Sequence, residues 1–273
     1  MVLKGRHRKG WGQHFLVDSK IRKRVAEEAE LSPLDLVVEI GIGGGFLTEI
    51  LLQQAGWVVG FEIDSGLTPL IREKFAAYSN FSFYPEDFLK IDLQTYLAFL
   101  TFPVIKCVSN LPYSVSTPIL FKLFDEKVEW NLLLLMVQRE FGDKVLSFPP
   151  SGKGSLVSLA THLRFNVKRV LTVAPSAFRP IPKVESVVLK LVPRMDGVDL
   201  TTYRKVINLA RFLFMQRRKS LYSRLEEKMG SRKKASDVLE KTGILPQIRA
   251  DDLERSQWIA LTMALENQNE EER

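Results

Sequence analysis

The chain has 273 residues, 45% of them hydrophobic and 26% charged. This is ordinary globular composition, which excludes a disordered, collagen-like or fibrous chain. The longest uninterrupted aliphatic run is too short to cross a membrane. The basic amino terminus has no apolar core, so it does not resemble a signal peptide, and the single cysteine, Cys107, cannot form an internal disulfide. We therefore expect a cytoplasmic protein.

The net charge of +7 is unevenly distributed along the chain. Residues 1–24 hold eight Lys or Arg and one acidic residue, and residues 201–250 hold thirteen basic and four acidic residues. Residues 25–200 between them are slightly acidic. Two basic regions on either side of a near-neutral body suggest a polyanion bound from two sides, and nucleic acid is the natural candidate. Solvated helix faces are the alternative interpretation.

The first two-thirds of the chain alternates strand and helix patterns. The predicted strands are Leu36–Ile40, Val58–Ile63, Phe81–Tyr84, Val104–Val108 and Asn131–Val137. The predicted helices are Phe46–Gln54, Thr117–Phe124, and one that contains Pro69 near its start and is capped by Asp64 or Ser65. This alternation predicts an α/β fold with a doubly wound sheet, whose ligands bind at the carboxyl ends of the strands.

The pattern changes after Pro149. Three segments are strand-like, namely Leu156–Leu163, Val167–Val173 and Ser186–Val192. From Thr201 onward every pattern is helical: Arg204–Met215, Arg218–Lys228, Lys233–Lys241 and Leu253–Leu265, separated by Gly230, Gly243 and Pro246. We predict a catalytic domain with a basic amino-terminal arm over residues 1–196, and a small all-helical domain over residues 197–273.

A glycine-rich segment, Gly41 to Gly45, follows the first predicted strand and precedes a helix. Glycines let the backbone pass close to a ligand, but a lone glycine cluster is weak evidence for any one cofactor. A dinucleotide fold would bring a pyrophosphate to this turn. Glu39 beside the turn would repel a pyrophosphate and suits a cationic ligand instead.

Two more acidic residues follow neighbouring strands. Glu62 lies 21 residues after Gly41, where a carboxylate can accept hydrogen bonds from two ribose hydroxyls. Asp87 follows the third strand, where it can accept from the amino group of an adenine, and Glu86 is the neighbour most easily mistaken for it. Three acids at successive strand ends with a glycine turn favour S-adenosylmethionine (SAM) over NAD.

The segment Asn110-Leu111-Pro112-Tyr113 is the most informative in the chain. The exocyclic amine of adenine is a poor nucleophile, because its lone pair is delocalised into the ring. The Asn110 side-chain oxygen and the Leu111 carbonyl could accept its N–H groups and favour a tetrahedral nitrogen. Pro112 fixes the turn, and Tyr113 offers a face on which a flipped base can stack.

These motifs resemble those of a known family, the bacterial small-subunit ribosomal RNA adenine N6-dimethyltransferases (KsgA/RsmA), over nearly the whole chain. The matching segments are Gly12–Leu16, Glu39–Gly41 with Gly43, Glu62–Asp64, Ser109–Pro118, Gln138–Glu140, Pro175–Pro180, Pro182–Ser186 and Arg217–Leu221. The resemblance implies a Rossmann-like SAM-dependent methyltransferase fold. It also implies transfer of two methyl groups to N6 of each of two adjacent adenosines near the 3′ end of small-subunit rRNA.

The resemblance implies functional residues as well. Cofactor binding is expected from Gln13, His14, Leu16, Glu39, Gly41, Gly43, Glu62, Asp87 and Asn110. Catalytic roles are expected for Asn110, Leu111, Pro112 and Tyr113, with Phe178 stacking on the base opposite Tyr113. RNA contacts are expected from Arg217, Arg218 and Lys219. The partner would be small-subunit rRNA in an immature subunit, bound by a monomer that needs no metal.

The sequence departs from the family in two places. Ile42 stands where the family usually has proline, and Lys153-Gly154 stands where it usually has Tyr-Gly. Two rival functions stay open: a large-subunit rRNA adenine methyltransferase that confers macrolide resistance, and a ribosome-assembly factor whose catalysis is secondary. A DNA adenine methyltransferase fits the Asn110 segment less well, because such enzymes favour Pro-Pro after the first residue of this motif.

Overall fold

The computed structural model describes residues 14–271, with side chains to residue 268. These residues form two compact units. The first contains the described residues up to Gly142 together with Val167–Pro193, and the second contains Asp143–Asn166 and the described residues from Arg194 onward. Residues 143–166 thus pack with the helical unit, although they precede the boundary that the sequence suggests. A functional division at residue 196 stays a prediction.

The described residues form nine strands and eleven α-helices. The strands are β1 (Phe15–Leu16), β2 (Asp35–Ile40), β3 (Trp57–Phe61), β4 (Phe81–Tyr84), β5 (Val104–Asn110), β6 (Leu132–Gln138), β7 (Phe165–Val173), β8 (Phe178–Arg179) and β9 (Ser186–Pro193). The helices are α1 (Ser19–Ala29), α2 (Thr48–Gln54), α3 (Thr68–Lys74), α4 (Leu93–Leu97), α5 (Ser116–Asp125), α6 (Arg139–Leu146), α7 (Leu156–Arg164), α8 (Leu200–Phe214), α9 (Leu221–Met229), α10 (Arg232–Thr242) and α11 (Arg255–Glu271).

The first unit is built on a seven-stranded sheet in the order β4-β3-β2-β5-β6-β9-β7. Strands β2 to β6 run parallel, and β9 pairs antiparallel with β6. Every residue of β2 is buried, as expected for a central parallel strand covered on both faces. The predicted doubly wound α/β fold is confirmed.

The chain reverses its direction of winding between β2 and β5. From β2 it proceeds outward through β3 to β4, then returns to place β5 on the other side of β2. Connections therefore diverge above the carboxyl ends of β2 and β5, which leaves a crevice at this switch point. Glu39 and Asn110 lie at these two strand ends.

One predicted strand is wrong, because Leu156–Arg164 is the helix α7. Its start is fixed by a capping box, in which the Ser155 side chain accepts from the backbone of Ser158 and the Ser158 side chain accepts from the backbone of Ser155. Six of the nine residues of α7 are buried, and two of these six, Ser158 and Thr161, are polar. The apolar residues Leu156, Leu159, Ala160 and Leu163 recur at helical spacing, so the sequence contains a helix pattern that the strand prediction overlooks.

The second unit is helical, as predicted for the carboxyl-terminal region. Serines cap α9 and α10 at their amino ends, and Gly230 and Gly243 end these helices in the left-handed conformation. Trp258 of α11 is among the largest fully buried side chains of the protein. Among the described residues, no helix has the length and apolar character needed to cross a bilayer.

Candidate active site

A cavity of about 310 Å³ opens at the carboxyl ends of β2, β3, β4 and β5. Its walls include all the described residues expected to bind the cofactor: His14, Leu16, Glu39, Gly41, Gly43, Glu62, Asp87 and Asn110. Leu111, Pro112 and Tyr113 line the same cavity. Gln13 lies outside the described residues. The structure therefore brings together residues from segments almost a hundred positions apart.

The glycine turn passes very close to two neighbouring side chains. Gly41 has φ +78°, and a Cβ there would lie 3.2 Å from Cγ of Pro112. Gly43 has φ +58°, and a Cβ there would lie 2.8 Å from the ring of Phe15. Side chains at either position would be strained by both the backbone and the neighbours. These glycines bring the turn against the Pro112 segment and narrow the cavity.

The two departures from the family pattern are accommodated locally. Ile42 is buried, and its side chain fills the space beside Gly60, where a Cβ would lie 2.6 Å from the Ile42 Cδ1. Ile42 therefore anchors the glycine turn to β3 by packing. In the second unit, Lys153 forms an ion pair with Asp252 and its neighbour Gly154 donates to the carbonyl of Asp251.

The Glu62 carboxylate accepts hydrogen bonds both from the glycine turn and from the segment that follows β3. One carboxylate oxygen, Oε2, accepts from the backbone N–H of Gly43 at 2.8 Å, and Oε1 accepts from that of Asp64 at 2.8 Å. Burial raises the pKa of Glu62, while these backbone hydrogen bonds oppose the rise. Each oxygen retains a lone pair, so the carboxylate can still accept from a pair of ligand hydroxyls.

Glu39 is the most deeply buried acid of the cavity wall, with 1% of its surface exposed. Burial raises the pKa of Glu39 to about 8; the nearby Thr48 hydroxyl and the charge of Lys74 oppose the rise, and the charge of Glu62 adds to it. Its Oε2 has no hydrogen-bond partner among the described residues. A buried carboxyl group of this kind favours a cationic ligand, because a nearby positive charge stabilises its ionised form.

The raised pKa of Glu39 predicts a pH-dependent stability. Between the ordinary value of 4.5 and about 8, the folded protein retains a proton on Glu39 that the unfolded chain has lost. Stability from this group is therefore fully present below pH 4.5 and declines as the pH rises toward 8. Replacing Glu39 by Gln should remove this decline. The Tm of the variant minus the Tm of the wild type should therefore increase from pH 5 to pH 8.5. Parallel Tm curves for wild type and variant would contradict the assignment.

Asp87 and Glu86 both reach the cavity, but their surroundings differ. Asp87 Oδ1 accepts from the backbone N–H of Leu89 at 3.0 Å, which orients the carboxylate after β4. Glu86 is exposed, and its Oε2 accepts from the Tyr96 hydroxyl at 2.6 Å. This bond raises the pKa of Tyr96 to about 12. The Tyr96 hydroxyl thus occupies Glu86, whereas Asp87 Oδ2 has a long ion pair of 3.8 Å with the exposed Lys90. Asp87 is therefore the better candidate for a ligand contact.

Asn110 ends β5 with a defined side-chain orientation. Its Nδ2 donates to the backbone carbonyl of His14 at 3.1 Å. This bond places the amide nitrogen on the His14 side and leaves Oδ1 buried, with no hydrogen-bond partner among the described residues. Leu111 follows with its N–H bonded to Met136 O at 3.0 Å. An unpartnered buried acceptor at a cavity wall is unusual, and it marks a place for a ligand donor.

Tyr113 presents its ring rather than its hydroxyl to the site. The hydroxyl lies 2.6 Å from Ser186 Oγ, and the ring stacks on His14 with centroids 5.6 Å apart and planes at 30°. His14 is itself held by Pro180, whose carbonyl lies 2.7 Å from Nδ1. Burial raises the pKa of Tyr113, so the phenol stays protonated. These contacts leave the aromatic face as the part available to a ligand.

Phe178 is placed differently from what the family resemblance implies. It is fully buried in the hydrophobic core of the first unit and does not line the cavity. Its strand β8 pairs with β1, where Phe178 lies opposite Leu16, a residue of the cavity wall. In this structure Phe178 therefore packs in the core next to a residue of the cavity wall. Stacking of Phe178 on the target base stays a prediction, and it requires the Phe178 side chain to move.

The three predicted RNA contacts lie in the second unit, between α8 and α9. Arg217, Arg218 and Lys219 are all exposed. The Arg217 guanidinium lies 5.1 Å from the centre of the Phe214 ring, and Lys219 Nζ lies 3.6 Å from a carboxylate oxygen of Glu227. An exposed ion pair of this length contributes little, so Lys219 can exchange it for a phosphate.

Sequence reasoning missed two residues of this site. Ser186 carries the only contact to the Tyr113 hydroxyl within the described part of the chain, although its motif had no assigned role. Ile63 lines the cavity beside Glu62 with 44% of its surface exposed. Ile63 is a large apolar residue directly after an acidic residue at the end of a strand. This pattern is the signal that could have identified Ile63 as a residue against which a flat ligand packs.

Comparison with known proteins places the chain in a family. A family model described as ribosomal RNA adenine dimethylase matches residues 4–267. The chain belongs to the ribosomal RNA adenine dimethylase family. It is thus a SAM-dependent rRNA adenine dimethyltransferase. The cavity residues fit SAM. Glu39 suits its positive charge and Glu62 suits its hydroxyl groups, the glycine turn borders the cavity, and Asn110 Oδ1 is an acceptor without a hydrogen-bond partner among the described residues.

Curated relatives and solved structures agree with this family. Proteins named ribosomal RNA small subunit methyltransferase A are 35% identical in Geobacter metallireducens and 36% identical in Geobacter sulfurreducens, each over 95% of this chain and at least 95% of the relative. A dimethyladenosine transferase from Plasmodium falciparum has a TM-score of 0.77 at 26% identity, covering 94% of this chain and 98% of its own. The 23S rRNA methyltransferase ErmE has a TM-score of 0.68 at 26% identity, covering 92% and 99%.

Proposed function

We propose that the enzyme dimethylates N6 of two adjacent adenosines near the 3′ end of small-subunit rRNA. The observation that carries the chemistry of this proposal, methyl transfer to an amine, is the orientation of Asn110. Its Nδ2 is held by the His14 carbonyl, so the buried and unpartnered Oδ1 is left to accept an N–H from a ligand. Such an acceptor recognises a ligand N–H or O–H, and an amine provides an N–H. The family description names adenine as the methylated base, and N6 is the exocyclic amine of adenine.

The cavity residues divide the recognition of SAM among them. Glu62 would accept from the two ribose hydroxyls, and Asp87 from the adenine amine, with Ile63 against the flat ring. Glu39, unpartnered at Oε2, would face the positively charged end of the molecule. Bound SAM supplies an electrophilic methyl group on its sulfonium. Gly41 and Gly43 have no side chains, so the turn packs closely against Pro112 and Phe15 while its backbone borders the cavity.

The chain's own residues prepare the target amine. Asn110 Oδ1 and the Leu111 carbonyl would accept its two N–H groups, which favours a tetrahedral nitrogen with its lone pair directed at the methyl group. Pro112, packed against Gly41, fixes both acceptors. Tyr113 would hold the base by stacking. No strong general base is needed, because the nitrogen becomes acidic once it carries the new methyl group.

The choice of subunit rests on the curated relatives. The Geobacter relatives carry the small-subunit name at 35–36% identity. The dimethyladenosine transferase and ErmE are both 26% identical to this chain, and the dimethyladenosine transferase has the higher TM-score, 0.77 against 0.68. The similar fold of ErmE makes the large subunit the second candidate. We also propose that the substrate is an immature small subunit and that the enzyme acts as a monomer in the cytoplasm, without a metal.

The direct test is methyl transfer in vitro from labelled SAM. Small and large subunits from a strain lacking the gene should be incubated separately with the purified enzyme. We expect label in adenosines of small-subunit rRNA and none in the large subunit. Label confined to the large subunit, together with macrolide resistance in a sensitive host, would establish the second candidate. Full assembly support by an inactive Asn110→Ala enzyme would favour an assembly factor.

The basic cluster gives a separate prediction about RNA affinity. Replacing Arg217 and Arg218 by alanine should weaken rRNA binding and leave SAM affinity unchanged. If both contact phosphates, the slope of log affinity against log salt should fall by about 0.7–0.9 per lost contact. The matched control is Lys233→Ala with Lys241→Ala, which removes the same charge from exposed positions of α10. Equal salt slopes for the two double variants would show that only net charge matters.

A further inference from the structure

We infer that Ser186 is a positioning residue for Tyr113, and that its hydroxyl fixes the direction of the ring on which the target base stacks. This inference rests on the proposed function, because it concerns how the substrate base is held. Ser186 belongs to the motif Pro182–Ser186, which the reaction itself leaves without a role.

The contact between the two hydroxyl groups is short and sheltered. Tyr113 Oη and Ser186 Oγ are 2.6 Å apart, although the residues are 73 positions apart in the chain. Tyr113 begins a short 3-10 turn just after β5, and Ser186 is the first residue of β9, with no exposed surface. The bond therefore connects the far end of the tyrosine side chain to the interior of the sheet.

Ser186 is itself rigidly placed. It pairs with Gln138 in the register of β6 and β9. The preceding residue, Glu185, accepts from the backbone N–H of Arg139 at 3.0 Å, and its carboxylate lies 2.7 Å from the Arg139 guanidinium. The start of β9 is thus tied to the end of β6 by backbone and side-chain bonds. The Ser186 hydroxyl is a fixed point from which the Tyr113 ring can be oriented.

The bond between Tyr113 and Ser186 restrains the orientation of the Tyr113 side chain in the site. A tyrosine ring is oriented by two torsions. The hydroxyl oxygen lies on the axis of the second torsion, so a contact there restrains the first torsion, which sets the direction of the side chain, and leaves the tilt of the ring to its stacking partner. His14 restrains one part of the ring by stacking, while Ser186 restrains the hydroxyl end. With both contacts in place, the remaining face keeps one orientation before the base arrives. Binding then loses less entropy, which increases the affinity for the flipped base.

The experiment is a double-mutant cycle with Ser186→Ala and Tyr113→Phe. Each single variant removes one partner of the bond and keeps the shape of the site. The measurement is single-turnover methyl transfer at saturating SAM while the concentration of small subunits is varied. We expect each single variant to lower kcat/KM for the subunits by about 3- to 10-fold, the scale of one neutral hydrogen bond. The double variant should be no worse than either single variant.

Ser82→Ala is the matched control. Ser82 Oγ accepts from the indole N–H of Trp57 at 3.0 Å in the same unit, and neither residue lines the cavity. This control should keep wild-type kcat/KM, and SAM affinity should be unchanged in all variants. A Ser186→Ala enzyme with wild-type kcat/KM would overturn the inference, as would an equal further loss in the Tyr113→Phe background. Failure of the wild-type enzyme to methylate small subunits would instead defeat the proposed function.

Discussion

Asn110→Ala is expected to lower kcat for methyl transfer by about 10²- to 10³-fold, the scale seen when one preorganised polar group is removed from an active site. The physical reason is the position of Oδ1, which is buried and unpartnered while Nδ2 is bonded to the His14 carbonyl. The lost bond matters most as the amine nitrogen becomes tetrahedral. Affinity for the subunit should barely change, because phosphate contacts dominate it.

The measurement is single-turnover transfer at saturating SAM on immature small subunits. Asn80→Ala is the control, since Asn80 donates to the carbonyls of Leu52 and Ala55 and does not line the cavity. Its rate should match that of the wild type even if its Tm falls. A near-wild-type rate for Asn110→Ala would show that the proposed role of this residue is wrong.

Glu62→Ala is expected to weaken SAM binding by about 1.5–3 kcal/mol, the range for hydrogen bonds to a charged group. Two effects contribute to this loss. The carboxylate would no longer accept from the ribose hydroxyls, and the backbone N–H groups of Gly43 and Asp64 would lose their shared acceptor. The glycine turn should therefore become less ordered in the variant.

Calorimetric titration with SAM provides the measurement. Glu86→Ala serves as the control, because Glu86 lines the same cavity but is engaged by Tyr96. Its SAM affinity should stay within a few-fold of the wild-type value. An unchanged affinity for Glu62→Ala would remove Glu62 from the site. Preferential binding of NAD by the wild-type protein would overturn the whole cofactor assignment.

The parallel sheet could be predicted from the sequence because its strands are nearly continuous apolar runs. β2 and β6 are buried almost throughout, and such continuous apolar runs are typical of parallel strands that are covered on both faces. The strand prediction misses helix α7, although its apolar residues Leu156, Leu159, Ala160 and Leu163 recur at helical spacing. The helix is only nine residues long, a length at which a buried helix and a buried strand are easily confused.

The site could be predicted from the sequence where one short segment contains both the groups that contact the substrate and the turn that positions them. Asn110-Leu111-Pro112-Tyr113 is such a segment, and the structure places all four residues at the cavity. Contacts between distant segments could not be predicted. The bond from Asn110 to His14 joins residues 96 positions apart, and its direction depends on backbone geometry. The burial of Phe178 behind Leu16 likewise follows from the pairing of two very short strands.

The central claim is that this enzyme dimethylates two adjacent adenosines near the 3′ end of small-subunit rRNA. The most direct measurement is mass spectrometry of that rRNA fragment from a strain that lacks the gene, complemented with either the wild-type or the Asn110→Ala gene. We predict two adjacent N6,N6-dimethyladenosines with the wild-type gene, and unmodified adenosines without the gene or with the Asn110→Ala gene. Fully dimethylated adenosines in the strain lacking the gene would contradict the claim.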